Sequence, residues 1–131
     1  MPLRITRRLH VGERVDGVYF IVPNVLYDSI GIHYADKLQC LLKNHFDENQ
    51  KLIQQPDEPC CLGIHKAYHL IQLQGLPITK KYGLLKGEGI ELVVEAILRT
   101  KDRLGRTINP PEEIKVFPTR VVEDFEFDPS S

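Results

Sequence analysis

The stretch Ile90-Glu-Leu-Val-Val-Glu-Ala-Ile-Leu-Arg99 decides the fold class of this chain. Its apolar side chains recur at every second position, at Ile90, Leu92, Val94, Ala96 and Leu98. Because successive side chains of a strand point to opposite faces, this period of two predicts a long, half-buried strand. The most regular segment of the sequence therefore favours a β protein.

Further strands are predicted on both sides of this segment. Residues 3–11 alternate apolar side chains with arginines, and residues 12–17 form a turn. Residues 18–22 are a continuous β-branched and aromatic run, which is typical of a strand buried on both faces. A strand is predicted over 64–74, a hairpin loop over 101–111, and broken strand material over 113–117 and 121–127.

Two helices and one loop complete the prediction. Residues 33–46 carry apolar side chains three and four positions apart, which predicts an amphipathic helix. Residues 78–85 are expected to form a short helix, with Thr79 as its cap and Gly87 as its stop. Residues 47–59 are polar and contain two prolines, so a surface loop is expected there.

These elements predict one mainly β domain over residues 1–131. A small, partly open barrel of five or so antiparallel strands, similar to an OB-fold, is the simplest closure for strands of this length. It would carry the amphipathic helix near 33–46, the short helix near 78–85 and an acidic C-terminal end at 123–131. A chain of 131 residues suits a single domain.

Charge and hydropathy exclude several classes of protein. Seventeen Lys and Arg against eighteen Asp and Glu give a formal charge of −1, which excludes binding by bulk positive charge. No apolar run approaches the roughly 18 residues of a membrane span, and the first residues lack the apolar core of a signal peptide. We therefore expect a cytoplasmic protein with no membrane partner.

The cysteines and histidines do not form a recognisable metal motif. Three cysteines are an odd number, which argues against a disulfide framework and favours reduced thiols. Zinc is the alternative, because the chain offers potential ligands at Cys40, His45, Cys61, His65 and His69. In a strand, His65 and His69 would lie about 13 Å apart, too far for one ion. We expect no metal and no other cofactor.

Catalytic motifs are missing from the sequence. It contains no G-x-S-x-G, H-E-x-x-H, P-loop or G-x-G-x-x-G pattern. A dyad of Cys40 with a histidine stays an alternative, since the sequence cannot place the two groups within hydrogen-bond reach. The sequence thus favours a protein that is not an enzyme and leaves a small enzyme open.

Local basic segments point to nucleic acid. Residues 80–106 hold seven basic and four acidic side chains, and four arginines lie in residues 4–14. Lys and Arg can follow a phosphate backbone, and aromatic rings can stack on any base. The candidate contacts are Arg7, Arg8, Lys80, Lys81, Arg99, Lys101 and Arg103 for phosphates, with Tyr19 and Tyr82 for stacking.

The second half of the chain also resembles a known family. The stretch from His69 to Thr100, with Lys86-Gly87 before the regular strand, resembles the central block of bacterial-type single-stranded DNA-binding proteins. In that family a strand leads to a short helix, then to Lys-Gly and a further strand; Ala96 stands where the family usually has glycine. Residues 113–127 are similar to the last strand of many OB-folds, and 107–116 to the anticodon-binding OB domain of aspartyl-tRNA synthetases.

The resemblance implies an OB-fold over residues 64–127 and a single-stranded DNA or RNA partner. Residues 33–59 depart from the family pattern. An alternative function therefore stays open: an assembly subunit or adaptor that binds other proteins, or further copies of itself, through the barrel and the helix at 33–46. The near-zero net charge favours this alternative. So does the acidic character of residues 112–128, which hold six acidic and two basic side chains.

Overall fold

A computed structural model describes residues 3–12, 15–22, 32, 35–64, 70–72, 77–115 and 124–125. Within these ranges the chain is mainly β, with one short helix, α1 (Pro77–Tyr82). The strands are β1 (Leu3–Arg8), β2 (His10–Gly12), β3 (Val15–Ile21), β4 (Lys37–Phe46), β5 (Leu52–Gln54), β6 (Glu58–Gly63), β7 (Leu70–Gln72), β8 (Gly89–Lys101), β9 (Thr107–Lys115) and β10 (Asp124–Phe125).

The strands form two sheets. The larger sheet has the order β10–β1–β8–β4–β5, with β6 also paired to β4 and β9 also paired to β8. The smaller sheet has the order β2–β3–β7. All of these pairs are antiparallel except β1 with β10, which is parallel and departs from the all-antiparallel prediction.

The long strand predicted from the alternating pattern is confirmed as β8, which lies at the centre of the larger sheet. It pairs with β4 along one edge, and with β1 and then β9 along the other. The register places Ile5 of β1, Leu92 of β8 and Leu42 of β4 side by side, and all three are fully buried. Burial of each such side chain contributes about 1.5–3 kcal/mol to folding.

The predicted helix over 33–46 is wrong, because residues 37–46 form strand β4. Leu38, Cys40 and Leu42 are buried at a period of two, and an irregularity between Leu42 and Asn44 then shifts the register, so that His45 is the next buried residue. A period of two interrupted in this way produces the spacings of three and four that also characterise a helix. Strands on both edges of β4 supply the backbone partners that favour the extended form.

Two predicted loops are shorter than expected. Residues 47–59 contain β5 and the start of β6, which return along the edge of β4. The loop predicted over 101–111 narrows to residues 102–106, and β9 continues through Pro110 and Pro111. Since β9 lies at an edge of the sheet, prolines without an N–H group are tolerated there.

The short helix is confirmed, with different ends. It spans Pro77–Tyr82, so Thr79 lies inside it rather than at its cap. It is followed by Gly83, which has a φ of 61°, rather than reaching the predicted stop at Gly87. No helix in the described ranges is long and apolar enough to cross a membrane.

The strand predicted over 18–22 is present as part of β3, but β3 already begins at Val15, inside the turn predicted over 12–17. Strand β3 is not buried on both faces, because Phe20 is buried whereas Ile21 is 46% exposed. The strand predicted over 64–74 is represented by β7, since residues 65–69 and 73–76 lie outside the described ranges. Of the predicted C-terminal strand material and acidic end, residues 116–123 and 126–131 also lie outside them.

Candidate nucleic-acid interface

Strands β1 and β2 form one nearly continuous segment that serves both sheets. Leu9, between them, is buried, as is Ile5 at the same parity. Arg8 and His10 have the opposite parity and are half-buried. Because side chains alternate along extended backbone, the segment directs Ile5 and Leu9 into the core and presents Arg8 and His10 on its other side, whereas Val11 of β2 is 51% exposed.

His10 and Tyr19 form an aromatic pair on the outer side of the smaller sheet. They are direct partners in the pairing of β2 with β3, their ring centroids lie 5.7 Å apart, and their planes are inclined by 38°. Tyr19 is half-buried, and Ile21, two residues along the same strand, is exposed. The alternate residues Val18 and Phe20 enter the core. The buried neighbours Val18 and Phe20 therefore hold Tyr19 in place on the strand, and part of its side chain stays exposed.

Two cationic residues belong to segments next to this aromatic pair: Arg8, two positions before His10, and Lys86 in the turn at 86–88. The Arg8 Nη1 atom donates a hydrogen bond to the Gly87 carbonyl oxygen at 3.1 Å. The backbone N–H of Gly87 donates to the Leu9 carbonyl oxygen at 2.9 Å, and that of Leu9 to the Glu88 carbonyl oxygen at 2.8 Å. The turn at 86–88 therefore lies against the β1–β2 junction, and Lys86 within this turn is exposed.

We name these five residues the Tyr19 surface: Arg8, His10, Tyr19, Ile21 and Lys86. The sequence prediction included Arg8 and Tyr19 as contacts, and it did not include His10, Ile21 or Lys86. The signal for His10 was its position two residues after Arg8 on an alternating strand. Its contact with Tyr19 depends on the register between β2 and β3, which no local pattern in either strand specifies.

Arg7 and Arg99 lie apart from the Tyr19 surface. Arg7 is 8% exposed and pairs in register with Ile90 at the beginning of β8. Arg99 donates from Nη2 to the Asp36 carboxylate at 3.1 Å, and Asp36 is 1% exposed. Nine residues of β8, about 30 Å of extended strand, separate Ile90 from Arg99. The two arginines therefore do not form one cationic face.

Lys101 and Arg103 lie at the far end of β8. Lys101 is exposed, and its Nζ atom donates to the Thr107 hydroxyl oxygen at 2.9 Å across the hairpin. Arg103 is exposed in the turn that follows. The long central strand thus separates these two cations from Arg8 at its opposite end.

Lys80, Lys81 and Tyr82 are on the short helix. The Tyr82 hydroxyl donates to the Glu58 carboxylate, and Lys81 Nζ lies 3.4 Å from the same carboxylate and 5.4 Å from the Tyr82 ring centroid. These contacts lower the pKa of Glu58, chiefly through the Tyr82 hydroxyl, and the bonds to Glu58 raise the pKa values of Tyr82 and Lys81. Lys80 is exposed. The hydroxyl and the ring of Tyr82 therefore both have contacts within the protein.

The potential metal ligands among the described residues do not form a metal-binding cluster. Cys40 is buried, Cys60 is half-buried and Cys61 is exposed, and all three are free thiols. Both ring nitrogens of His45 have hydrogen-bond partners in the protein. Among the residues that the structure describes, no three His, Cys, Asp or Glu side chains converge in a metal-binding arrangement, and His65 and His69 lie outside these residues.

Comparisons of the chain with protein-family models, with curated proteins and with solved structures give no significant match. The site is therefore defined by the geometry of the Tyr19 surface and its surroundings.

Proposed function

We propose that this protein binds single-stranded nucleic acid, DNA or RNA, on the Tyr19 surface. The observation that carries the proposal is the half-buried aromatic pair of His10 and Tyr19 next to the strand junction where Arg8 contacts the turn that holds the exposed Lys86. Unpaired bases offer flat π-faces and each phosphate carries a negative charge, so a ring with cations on neighbouring segments suits both parts of a single strand.

The proposed mechanism separates stacking from phosphate contacts. One base stacks on the outer part of the Tyr19 ring, next to His10, and the flanking phosphates approach Arg8 and Lys86. Stacking on an aromatic side chain is worth about 1–3 kcal/mol per base, whereas each phosphate contact adds salt-dependent affinity. Four other cations are exposed but distant from the pair, so we assign them only secondary phosphate contacts: Lys80, Lys81, Lys101 and Arg103.

The fold we propose for this role is an OB-like barrel. The two sheets would join into a ring in the order β2–β3–β7–β6–β4–β8–β1. The ring closes because β6 lies next to β7 and because β1 continues into β2. The order of β7, α1, Lys86-Gly87 and β8 also follows the family pattern that the sequence resembles. Such barrels bind oligonucleotides on the strands equivalent to β3 and β7, which border the Tyr19 surface.

Fluorescence anisotropy with a labelled oligothymidylate of about 16 nucleotides in about 50 mM salt tests the proposal. We expect saturable binding that weakens steeply as salt is added. Tyr19→Ala should weaken binding about tenfold or more, because about 1.4 kcal/mol of lost stacking is a factor of ten, and Tyr19→Phe should retain most of it.

Lys86→Glu tests the charge contribution to binding, and Lys37→Glu is its matched control. Both lysines are exposed, but Lys37 lies on β4, opposite Leu98, at the other end of β8 from Gly89. Lys86→Glu should weaken binding and reduce its salt dependence, while Lys37→Glu should leave both almost unchanged. Absence of binding to the oligothymidylate and to an equivalent oligouridylate, or equal effects of the two lysine variants, would overturn the proposal.

A second candidate is an assembly subunit or adaptor. The helix at 33–46 cannot serve this role, since residues 37–46 are a strand within the sheet. Exposed apolar side chains favour the candidate in another place: Leu52 and Ile53 on β5, and Leu85 near the turn at 86–88. The two segments are neighbours, because Gln54 donates to the Tyr82 carbonyl oxygen.

Light scattering on the purified wild-type chain and on the double variant Leu52→Ser/Ile53→Ser tests this second candidate. A monomeric wild-type chain would contradict self-assembly through the exposed apolar side chains Leu52, Ile53 and Leu85.

A further inference from the structure

Cys40 and Cys60 face each other across two neighbouring strands. They are direct partners in the antiparallel pairing of β4 with β6, and their Sγ atoms lie 3.6 Å apart. Cys40 is buried on the core side of β4, and Cys60 is half-buried. The two thiols are in contact, although neither belongs to the Tyr19 surface.

The strand register brings the two cysteines near the separation that a disulfide needs. Direct cross-strand partners have Cβ atoms about 4.5–5.5 Å apart, and a disulfide requires about 3.5–4.5 Å. Closing the sulfur gap to about 2.05 Å needs a small inward movement of one strand. Strand β6 can supply it, because β4 is its only sheet partner among the described strands.

The two thiols differ in the direction of their pKa shifts and in their exposure. The hydrogen bond between the sulfurs lowers the pKa of Cys60, whereas this contact and burial raise the pKa of Cys40 well above its usual range. Cys60 is therefore the group that ionises first and is also the more accessible of the two. A thiolate rather than a thiol is the nucleophile in thiol oxidation.

We propose that Cys40 and Cys60 are a peroxide-sensitive pair that closes to a disulfide between β4 and β6. The Cys60 sulfur attacks one oxygen of hydrogen peroxide, the O–O bond breaks, and the departing hydroxide takes up the proton that Cys60 released. The Cys40 sulfur then attacks the sulfur of the Cys60 sulfenic acid. The S–O bond breaks, and the second hydroxide takes the proton of Cys40. Two thiols are oxidised, and one hydrogen peroxide is reduced to two waters.

Cys61 serves as the internal control. It is exposed and lies opposite Gln39 in the register, so it faces away from Cys40. Simple accessibility would make Cys61 the first thiol to be oxidised. The proposal instead requires Cys60 to be consumed together with the buried Cys40, while Cys61 stays free.

The experiment treats the full chain with hydrogen peroxide, blocks the remaining thiols under denaturing conditions and maps the peptides by mass spectrometry without reduction. We expect a Cys40–Cys60 linked peptide and one free thiol of the three, with recovery of all three after dithiothreitol. Cys61→Ser should form the same link at the same rate. Cys60→Ser should retain a free Cys40 at peroxide doses that close the wild-type pair.

Mapping of the wild-type chain needs no variant to fold. A dominant link from Cys61 to another copy of the chain, or oxidation confined to Cys61, would overturn the proposal. So would three free thiols after a peroxide dose that oxidises an exposed cysteine in a control peptide.

Discussion

The side-chain amide of Gln54 donates a hydrogen bond to Nδ1 of His45 at 2.9 Å. The same nitrogen also donates to the Tyr82 carbonyl oxygen at 3.1 Å, which uses both of its hydrogens. Nδ1 of His45 is therefore an acceptor, and the ring carries its proton on Nε2, 3.0 Å from Glu88 Oε1. Through this buried histidine, β4 is connected to β5, to the end of α1 and to the residues before β8.

Replacement of Gln54 by Leu should destabilise the fold by about 1–3 kcal/mol, because it leaves a buried histidine nitrogen without its donor. The measurement is the free energy of unfolding from urea denaturation. Gln55→Leu is the matched control, since Gln55 is the exposed neighbour, and it should change the free energy by less than about 0.5 kcal/mol. Equal losses in the two variants would contradict the assigned role of Gln54.

Two aspartate–cation pairs differ in burial and should differ in their contribution. Asp36 is 1% exposed and bonds Arg99 at 3.1 Å, whereas Asp57 is 61% exposed and bonds Lys43 at 2.8 Å. Asp36→Asn should lower the free energy of unfolding by about 1.5–3 kcal/mol, because it weakens charged hydrogen bonds between Arg99 and a buried carboxylate. Asp57→Asn should lower it by less than about 1 kcal/mol. Thermal unfolding of the two variants in one buffer compares them; a larger loss for Asp57→Asn would refute the ranking.

Gly83 and Gly63 provide a test of backbone strain. Each has room for the methyl group of an alanine, since no atom lies within 4 Å of the Cβ position. Gly83 has a φ of 61°, whereas the φ of Gly63 is in the ordinary range. Gly83→Ala should therefore destabilise by about 1–2 kcal/mol through strain alone, and Gly63→Ala should not destabilise. Urea midpoints measured side by side decide; a neutral Gly83→Ala would show that no strained turn is needed after α1.

The carboxylate of Glu58 should respond to loss of the Tyr82 hydroxyl. Because that hydroxyl is the main cause of the lowered pKa of Glu58, Tyr82→Phe should raise it. A lowered folded-state pKa stabilises above the unfolded pKa, about 4.3 for a glutamate, and this stability is lost as the pH falls through the folded value. The variant should therefore lose stability at neutral pH but less at acid pH.

An NMR titration of the Glu58 side chain measures this shift directly. Asp102 provides the internal control, since its pKa is lowered by the backbone and side chain of Arg106 in a separate turn. Its titration should be the same in the wild-type chain and in Tyr82→Phe. A Glu58 titration that does not move would mean that the hydroxyl contact is absent in solution.

Several elements could be predicted because their signals are local. Strand β8 carries an apolar residue at every second position from Ile90 to Leu98, and the short helix begins at Pro77 and is followed by Gly83, residues that favour a helix start and a helix end. Alternation along 3–11 likewise placed Arg8 on a strand and Leu9 toward the core. These features depend on backbone stereochemistry and on side chains close in sequence.

The tertiary structure decided the rest. Residues 37–46 have spacings that suit a helix, and they became a strand because β8 and β6 pair with both of their edges. The contact of His10 with Tyr19 and that of Cys40 with Cys60 depend on strand register. Register is set by the burial of whole faces against distant strands. The sequence by itself therefore determined which segments extend and which residues alternate, whereas long-range pairing decided which side chains meet.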